Sequence, residues 1–470
     1  MTDDFKRSQF GNTRLDKRAL QISRALSAKP EDSLPEAIGD DQELQNTYRF
    51  LGHDWLSFED LTRPHFEATA QRCHLIGDDI SVIHDTTEYA FPIHNDKMRK
   101  DLSRLSSRRQ GFFGHGSLAV APGPVACPLG YLAYQPFVHI NDLPDASAQA
   151  FWQERNGVME HELKRWMRGV YQAQQQLGPK VSPLNIFDSE GDAYEILVDM
   201  HEGQHRYLIR LGQNRRVVGP DGSRGLLHDV MATQPVIDTR TVQVSARKPT
   251  GPPRSRKPKR SARVTTMEVR AATLEIIRPD SDNALDSWPK AIKTNVVYLR
   301  ERQPPQGEEP IEWYLVTTEP IDSAEQVEAI IIRYQDRWLI EESNKSIKTG
   351  CAYTKRQLES ATSLLNALAI TLPVSLDLLR FRYLSRAAPH WPAEVVVTKR
   401  HLRILQSVVE KVKWSEEPTV EEATLAVAKL GGFLKHNKWP GWQTLSRGYQ
   451  TLLDYEVGWV AAQRTRDSPG

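Results

Sequence analysis

Residues 330–350 constrain the fold of this chain more than any other stretch, because polar and apolar residues alternate there at a helical spacing. Tyr334, Arg337, Glu341 and Lys348 lie at offsets of 0, 3, 7 and 14 along the chain. At about 100° per residue in an α-helix, these offsets fall within a sector roughly 60° wide. The opposite side carries Ile332, Leu339, Ile340 and Ile347. The spacing therefore predicts one helix with a polar face that presents a phenol, a guanidinium, a carboxylate and an ammonium, and an apolar face that packs on a core.

The charged face of this helix has two interpretations. Arg337 and Glu341, and likewise Glu341 and Lys345, are four residues apart. Opposite charges at this spacing stabilise a helix, so an ordinary amphipathic surface helix explains the pattern. A functional face requires further carboxylates that the fold brings to Glu341 from elsewhere in the chain.

Two apolar runs that end in carboxylates provide those candidates. A β-branched run from Ile80 to Ile83 leads into Asp85-Thr86-Thr87, and residues 184–187 lead directly into Asp188. Both runs are typical of buried strands whose ends open onto a site, although an aspartate at a strand end is also a common turn former. Asp192 lies at the start of a predicted helix, where an acid suits the helix dipole. We therefore assign the site to Asp188 and treat Asp192 as the structural alternative.

The elements around these acids predict an α/β fold. Further strands are predicted at residues 111–118, 130–134 and 206–211, with a helical segment over 146–176. Three strands, a helix, a short strand and another strand make up the order of an RNase H-like fold. That fold places Asp85 on the first strand and Asp188 just after the fourth.

The interval between Asp188 and Glu341 is far longer than a strand-to-helix connection needs. It predicts a β-rich insertion over about residues 212–322 of a core domain that spans 71–370. The predicted strands of the insertion lie near residues 242–246, 263–277, 293–299 and 312–317.

Both ends of the chain are predicted to be helical, over residues 1–70 and 371–470. Leu15, Ala19, Ile22 and Leu26 form one apolar stripe near the start. Gln42, Gln45, Asn46 and Arg49 follow on a second helix, with side chains that can reach base edges or phosphates. The N-terminal part is either a recognition module or a helical cap on the next domain. The C-terminal part is either a dimerisation domain or a helical domain packed on its own chain.

The net charge of +1 conceals a basic segment between Asp238 and Glu268, which contains no acid. Its basic residues are Arg240, Arg247, Lys248, Arg254, Arg256, Lys257, Lys259, Arg260 and Arg263. Prolines in the same segment oppose regular structure. The segment is either a solvated or localisation-like basic loop, or an arm that binds phosphates and becomes ordered on nucleic acid.

The composition of the chain indicates the cellular compartment in which the protein is expected. Cys73, Cys127 and Cys351 have neither the spacing of a zinc site nor that of a disulfide framework. The chain has no run of 18 apolar residues and no apolar signal region after its first residues. We therefore expect a cytoplasmic protein with no membrane partner.

The motif Tyr334-x2-Arg337-x3-Glu341-x6-Lys348, followed by Thr349-Gly350, resembles the signature of bacterial DDE cut-and-paste transposases of the insertion-sequence-four group. Asp85-Thr86-Thr87 and the Asp188-x3-Asp192 pattern are similar to the same family. The resemblance implies that Asp85, Asp188 and Glu341 are catalytic and bind two Mg²⁺ or Mn²⁺ ions per active site. It also implies that Trp313, on the last strand of the insertion, helps to hold a flipped-out base. The DNA contacts predicted from the resemblance and from basic charge are Tyr334, Arg337, Lys345, Lys348, Trp313, Arg210, Arg254, Arg256, Lys257, Lys259 and Arg260.

The function implied by this resemblance is DNA transposition. The protein is expected to bind the ends of a mobile element, cut them through hairpin intermediates and join the 3′ ends to target DNA, as a synaptic homodimer associated with a bacterial nucleoid. Residues 1–70 would then bind DNA, residues 71–370 would cut it, and residues 371–470 would dimerise. Two alternatives remain, namely a transposase-derived repressor or scaffold that binds without cutting, and a metal nuclease without strand transfer.

Overall fold

The computed structural model describes residues 4–95, 97–155, 157–159, 163–249, 258–280, 284–410, 412–433 and 439–467, with only the backbone described for 464–467. Its helices are α1 Thr13–Ala28, α2 Leu34–Ile38, α3 Asp41–Leu51, α4 Phe58–His74, α5 Ala146–Glu154, α6 Leu163–Leu177, α7 Tyr194–Glu202, α8 Leu227–Thr233, α9 Ala324–Gln335, α10 Trp338–Lys345, α11 Ala361–Ala387, α12 Lys399–Val408, α13 Val420–Leu430 and α14 Trp442–Asp467. Its strands are β1 Ser81–Pro92, β2 Ser103–Ser106, β3 Arg109–Ala121, β4 Cys127–His139, β5 Val158–Met159, β6 Leu184–Phe187, β7 Arg206–Arg210, β8 Arg216–Val218, β9 Arg224–Leu226, β10 Asp238–Val244, β11 Arg263–Ile277, β12 Ala291–Glu301 and β13 Glu312–Thr317. The predicted α/β class is confirmed.

The described strands form one mixed sheet in the order β5-β4-β3-β1-β6-β7-β13-β12-β11-β8-β9, with β2 beside β3 and β10 beside β11. Strands β1, β3 and β4 pair antiparallel, whereas β1, β6 and β7 pair parallel. The parallel pairs require crossovers, which the helices between β4 and β7 supply. The acid-bearing strands β1 and β6 are therefore neighbours in the interior of the sheet.

The strands predicted in residues 212–322 are present and continue this same sheet. Strand β13 pairs antiparallel with β7, with Leu315 opposite Arg210. The alternating burial along β11 shows why its sequence forms a strand with one covered face. The pairing places β13, which carries Trp313, beside β7, the strand that follows Asp188.

The predicted single helix over residues 334–348 is wrong in detail. Helix α9, capped by Ser323, ends before a turn at Asp336 and Arg337. Helix α10 then begins, and a π-helical turn, Ser346–Gly350, follows it. The turn and the π segment change the helical phase, so the residues before and after them do not share one apolar face. Ile332, predicted on the apolar face with Leu339, Ile340 and Ile347, is 40% exposed, whereas the other three are buried. The predicted helix over 146–176 is likewise two helices, α5 and α6, with β5 between them.

Helix α11 lies at the centre of the helical layer. Its apolar side chains share a core with those of α1–α4, and the Asn366 side-chain amide donates 2.8 Å to the Leu51 carbonyl oxygen. The helix continues through Pro373, which is buried within it. The predicted boundary at residue 370 lies within it.

One helix among the described residues, α11, is long and apolar enough to cross a membrane by length and composition. Most of its apolar window, 83%, is buried inside the protein. A core helix passes the same test, so this feature is weak evidence for a membrane span.

Candidate active site

Asp85 lies in the interior of β1, with the backbone of Gly116 opposite it on β3. Its carboxylate is half-buried, and the Asn344 side-chain amide approaches one of its oxygens at 3.4 Å. Ile83 and Tyr89, on the same face of the strand as Asp85, are fully buried. The strand therefore holds this carboxylate at the edge of the core.

Asp188 follows β6 directly, as the sequence predicts. Residues 184–187 are fully buried, and parallel pairing of Ile83 with Ile186 sets the end of β6 beside Asp85. The half-buried Asp188 carboxylate accepts a hydrogen bond of 2.8 Å from the Glu190 backbone amide. This bond fixes the turn and leaves carboxylate lone pairs available.

The carboxylate of Asp192, the alternative to Asp188, is buried and hydrogen-bonded within the protein. It is 6% exposed and accepts hydrogen bonds from the Gly212 and Gln213 backbone amides at 2.7 and 2.8 Å. Arg215 donates to its other oxygen at 2.9 and 2.5 Å. A carboxylate satisfied in this way holds the loop after β7 and has little capacity left for a ligand.

Glu341 projects from α10, and its side chain is 48% exposed. Arg337 donates to it at 2.6 Å, so the i,i+4 pair expected from the sequence is present. The second expected pair is absent, because Lys345 donates instead to Glu342, at 2.7 Å.

The three acids share one electrostatic environment. The pKa of Asp85 is raised to about 7, mainly by burial and then by the negative charges of Asp188, Glu190 and Glu341, against the opposing effect of Arg337. Carboxylate oxygens are the ligands that Mg²⁺ and Mn²⁺ prefer. The residues present therefore fit such ions by charge and by donor type.

The three carboxylates do not converge on one point in this structure. Among the described residues, no group of three or more His, Cys, Asp or Glu side chains is close enough together to hold a metal ion. Like charges repel, and the bond from Arg337 to Glu341 holds that carboxylate on its own helix. A cation bound by the acids would compete with Arg337 for the Glu341 carboxylate.

Tyr334 and Trp313 line the site on the side of the extended sheet. Their rings are 5.3 Å apart in an edge-to-face arrangement. The Tyr334 hydroxyl is buried and has no hydrogen-bond partner among the described residues. Trp313 is half-buried, so part of the indole stays accessible. A buried hydroxyl without a partner is costly, and a bound phosphate oxygen would satisfy it.

Two of the predicted DNA-binding cations, Arg210 and Lys348, border the acids. Arg210, at the end of β7, donates 3.1 Å to the hydroxyl of Ser189, the residue after Asp188. Lys348 donates 2.6 Å to the hydroxyl of Thr87 on β1. Together with Arg337 they surround the carboxylates with positive charge.

The other predicted DNA contacts are not joined to this site. Lys345 is exposed on α10 and pairs with Glu342. Lys259 and Arg260 lie at the base of the basic segment, where the Arg260 guanidinium donates 3.2 Å to the Ser245 carbonyl oxygen. Among the described residues, no hydrogen bond or ion pair links either to the three acids. The remaining predicted contacts lie outside the described residues, namely Arg254, Arg256 and Lys257.

Sequence reasoning missed Asn344 and Glu190 as members of the site. Asn344 lies three residues after Glu341, so its position on the same helical face was a usable signal. Glu190 lies two residues after Asp188 and adds negative charge beside Asp85.

The N-terminal helices are similar to a known family. Residues 1–56 match the family described as transposase DNA-binding. This match supports a transposase that binds DNA. The matched segment contains α1–α3, and Gln42, Gln45 and Arg49 of α3 are exposed, as contact with DNA would require.

Proposed function

We propose that this protein is a metal-dependent DNA transposase that binds the ends of a mobile element, cuts them and joins the 3′ ends to target DNA. The observation that carries this proposal is that the pairing of β1 with β6 sets Asp188 beside Asp85, while α10, which carries Glu341, reaches Asp85 through Asn344. The first 56 residues of the same chain match transposase DNA-binding domains. The resemblance of the motif over residues 334–350 to DDE transposases points to the same chemistry.

The order of the core strands supports an RNase H-like fold for the catalytic domain. Strands β4-β3-β1-β6-β7 run side by side, with the antiparallel pairs on one side of β1 and the parallel pairs on the other. This arrangement agrees with the prediction that puts the first acid on β1 and the second just after β6.

In the proposed reaction, Asp85, Asp188 and Glu341 would hold two Mg²⁺ or Mn²⁺ ions, which would supply Lewis acidity for phosphodiester cleavage. Arg337, Lys348 and the Tyr334 hydroxyl bind the phosphate backbone beside the cut and hold it in line with the acids. Arg337 also has a second role. It must exchange its bond to Glu341 for a phosphate when DNA binds, which frees the Glu341 carboxylate.

Trp313 is proposed to stack on a base that leaves the duplex as a hairpin forms. An accessible indole face beside Tyr334 suits this role, because stacking is worth about 1–3 kcal/mol per base and is indifferent to sequence. The proposal extends to a synaptic homodimer formed through residues 371–470.

A transposase-derived protein that binds DNA without cutting it is the second candidate. It is favoured by the Arg337–Glu341 bond, which holds the third carboxylate away from the other two. The two candidates share the N-terminal match and differ in the chemistry of the acids.

The deciding experiment incubates the protein with linear DNA that carries its own reading frame and both flanks, with Mg²⁺, with Mn²⁺ or with EDTA. The Glu341→Gln variant, which keeps side-chain size, is run beside the wild type on a denaturing gel. Metal-dependent nicks at discrete boundaries, absent from the variant, would support the transposase. Uncut DNA on that gel together with a shifted band on a native gel would favour the binding protein, and cutting without joining to added target DNA would indicate a nuclease.

A further inference from the structure

Arg356 connects the N-terminal segment with the end of the motif segment. Its side chain is 5% exposed. One terminal nitrogen donates 2.6 Å to the Asp32 carbonyl oxygen. The other donates 3.3 Å to the carbonyl oxygens of both Pro30 and Cys351. Pro30 and Asp32 belong to the loop between α1 and α2, within the segment that matches DNA-binding domains, whereas Cys351 follows the π turn.

The acceptors of this guanidinium are all backbone carbonyls. A buried cation that donates to no carboxylate is expensive, and burial lowers the pKa of Arg356, although the nearby charge of Asp32 opposes this. Carbonyls satisfy its N–H groups only while all three keep their positions. The arrangement therefore stabilises the fold little but fixes the register between two segments that are distant in sequence.

The backbone around Arg356 is built for this contact. Ala352 has φ of +46°, a left-handed conformation that a residue with a side chain adopts at a cost. The reversal lets Arg356 reach back to the Cys351 carbonyl, while the Cys351 amide closes the π turn on the Ser346 carbonyl at 2.8 Å. Arg356 and the π turn are therefore parts of one rigid unit.

From this unit, contacts continue to the catalytic strand. Lys348 lies within the π turn and donates to Thr87, two residues beyond Asp85. A movement of the loop at Pro30 and Asp32 would thus displace Arg356, then the π turn, and then Lys348. Each step is a direct hydrogen bond or a covalent neighbour.

A second arginine contacts the same loop from another direction. Arg447 of α14 donates 3.1 Å to the Glu31 carboxylate, and its side chain is 60% exposed. Among the described residues, no hydrogen bond or ion pair joins its side chain to the motif segment, so Arg447 offers a control for Arg356.

We propose that Arg356 is a positioning residue that couples occupation of the N-terminal DNA-binding segment to the placement of Lys348 beside Asp85. The purpose of this coupling rests on the proposed function: it would restrict cutting to DNA that the N-terminal segment has bound. In physical terms, DNA binding to a surface formed by α1–α3 changes the conformation of the π turn.

The test is hydrogen exchange at the backbone amides of residues 346–356, followed by mass spectrometry. The full-length protein is compared alone and with a duplex that it has itself selected from a random-sequence pool, in EDTA so that no strand is cut. In the wild type and in Arg447→Met, DNA is expected to slow this exchange by about 5-fold or more, the scale of a typical coupling energy. In Arg356→Met the slowing is expected to vanish although the duplex still binds.

Equal slowing in Arg356→Met and wild type would overturn the proposal, as would a wild-type protein that binds the duplex with no change at residues 346–356. Arg356→Lys, which keeps the charge but cannot bridge three carbonyls, serves if the Met variant does not fold. It is expected to show reduced slowing, and full wild-type slowing would again overturn the proposal. Because no step requires cutting, failure of the catalytic proposal would leave this result readable.

Discussion

The Lys348 ammonium bonds to the hydroxyl of Thr87 at 2.6 Å, which ties the end of the motif segment to the strand that carries Asp85. The Tyr89 ring, further along the same face of β1, lies 5.4 Å from the same nitrogen. A flexible four-carbon side chain is thereby held in one place before any DNA arrives. Preorganisation of this kind lowers the entropy cost of gripping a phosphate.

Replacing Thr87 with valine, which has nearly the same shape, removes the acceptor and leaves Lys348 unanchored. A hydrogen bond to a charged group contributes about 1.5–3 kcal/mol, so cutting at saturating DNA is expected to fall by about 10-fold or more. Affinity for the ends should change little, because α1–α3 are untouched. Single-turnover cutting and a binding titration measure the two quantities. A loss of affinity with no loss of cutting rate would contradict this role for Thr87.

The acids are tested by isosteric changes, Asp85→Asn, Asp188→Asn and Glu341→Gln. Each is expected to lower metal-dependent cutting by about 10²-fold or more, the scale for removing a group that acts in the transition state. End binding should persist, and binding of Mn²⁺ measured by calorimetry should weaken in all three. Loss of DNA binding together with loss of the folded state would instead make these residues structural.

Trp313→Ala is expected to spare the first nick and to reduce hairpin formation, because the indole acts only after a base leaves the duplex. Removing a stacking interaction of about 1–3 kcal/mol predicts a reduction of roughly 5-fold to 150-fold. Trp313→Phe should recover part of the yield. Nicked and hairpin products separate on a denaturing gel, and an unchanged hairpin yield in the alanine variant would exclude the role.

The sequence predicts local features of this molecule well, because they depend on local physics. The β-branched run before Asp85 and the buried run before Asp188 fix both strands, and the period of apolar residues locates the helical ends. The pairing of β13 with β7 depends on long-range register, which no short pattern encodes. The turn at Asp336 and Arg337 was missed because an argument from helical period assumes an unbroken helix.

The choice of Asp188 over Asp192 was made from position relative to the strand. The structure gives the Asp192 carboxylate four hydrogen bonds from the loop after β7, two from the backbone amides of Gly212 and Gln213 and two from the buried side chain of Arg215. Those partners lie about twenty residues downstream, so the sequence alone offered no view of them. The bonds from Arg356 to Pro30 and Asp32 could not be predicted for the same reason, since they join residues more than three hundred positions apart in the sequence.

Asp192→Ala tests the structural role of that carboxylate. The Arg215 side chain is 7% exposed, so the change leaves a buried guanidinium without its partner. Breaking such a pair costs about 3–5 kcal/mol of the free energy of unfolding. Adding Arg215→Met to the same chain should restore part of the loss. Denaturant unfolding measures both variants, and a stable Asp192→Ala protein that cannot cut DNA would move Asp192 into the active site.

His65 predicts how the stability of the N-terminal part depends on pH. Its Nε2 atom accepts the Tyr131 backbone N–H at 3.1 Å, so the ring proton lies on Nδ1 and is donated to the Asp4 carboxylate at 2.7 Å. Complete burial lowers the pKa of His65 below its ordinary 6.5, although Asp4 opposes this. The unfolded chain therefore binds a proton below about pH 6.5 that the folded chain excludes.

The contribution of His65 to stability is thus fully present above pH 6.5 and is lost as the pH falls toward the lower folded-state pKa. The loss is at most about 1.4 kcal/mol for each pH unit in that window. Thermal unfolding of the wild type between pH 7.5 and pH 5 should show a falling Tm, and His65→Gln, which does not titrate, should be less stable at pH 7.5 but flatter with pH. Parallel curves of Tm against pH for the two proteins would contradict this role for His65. They would mean that His65 binds its proton equally well in the folded and unfolded chains, and that another group causes the loss of stability at low pH.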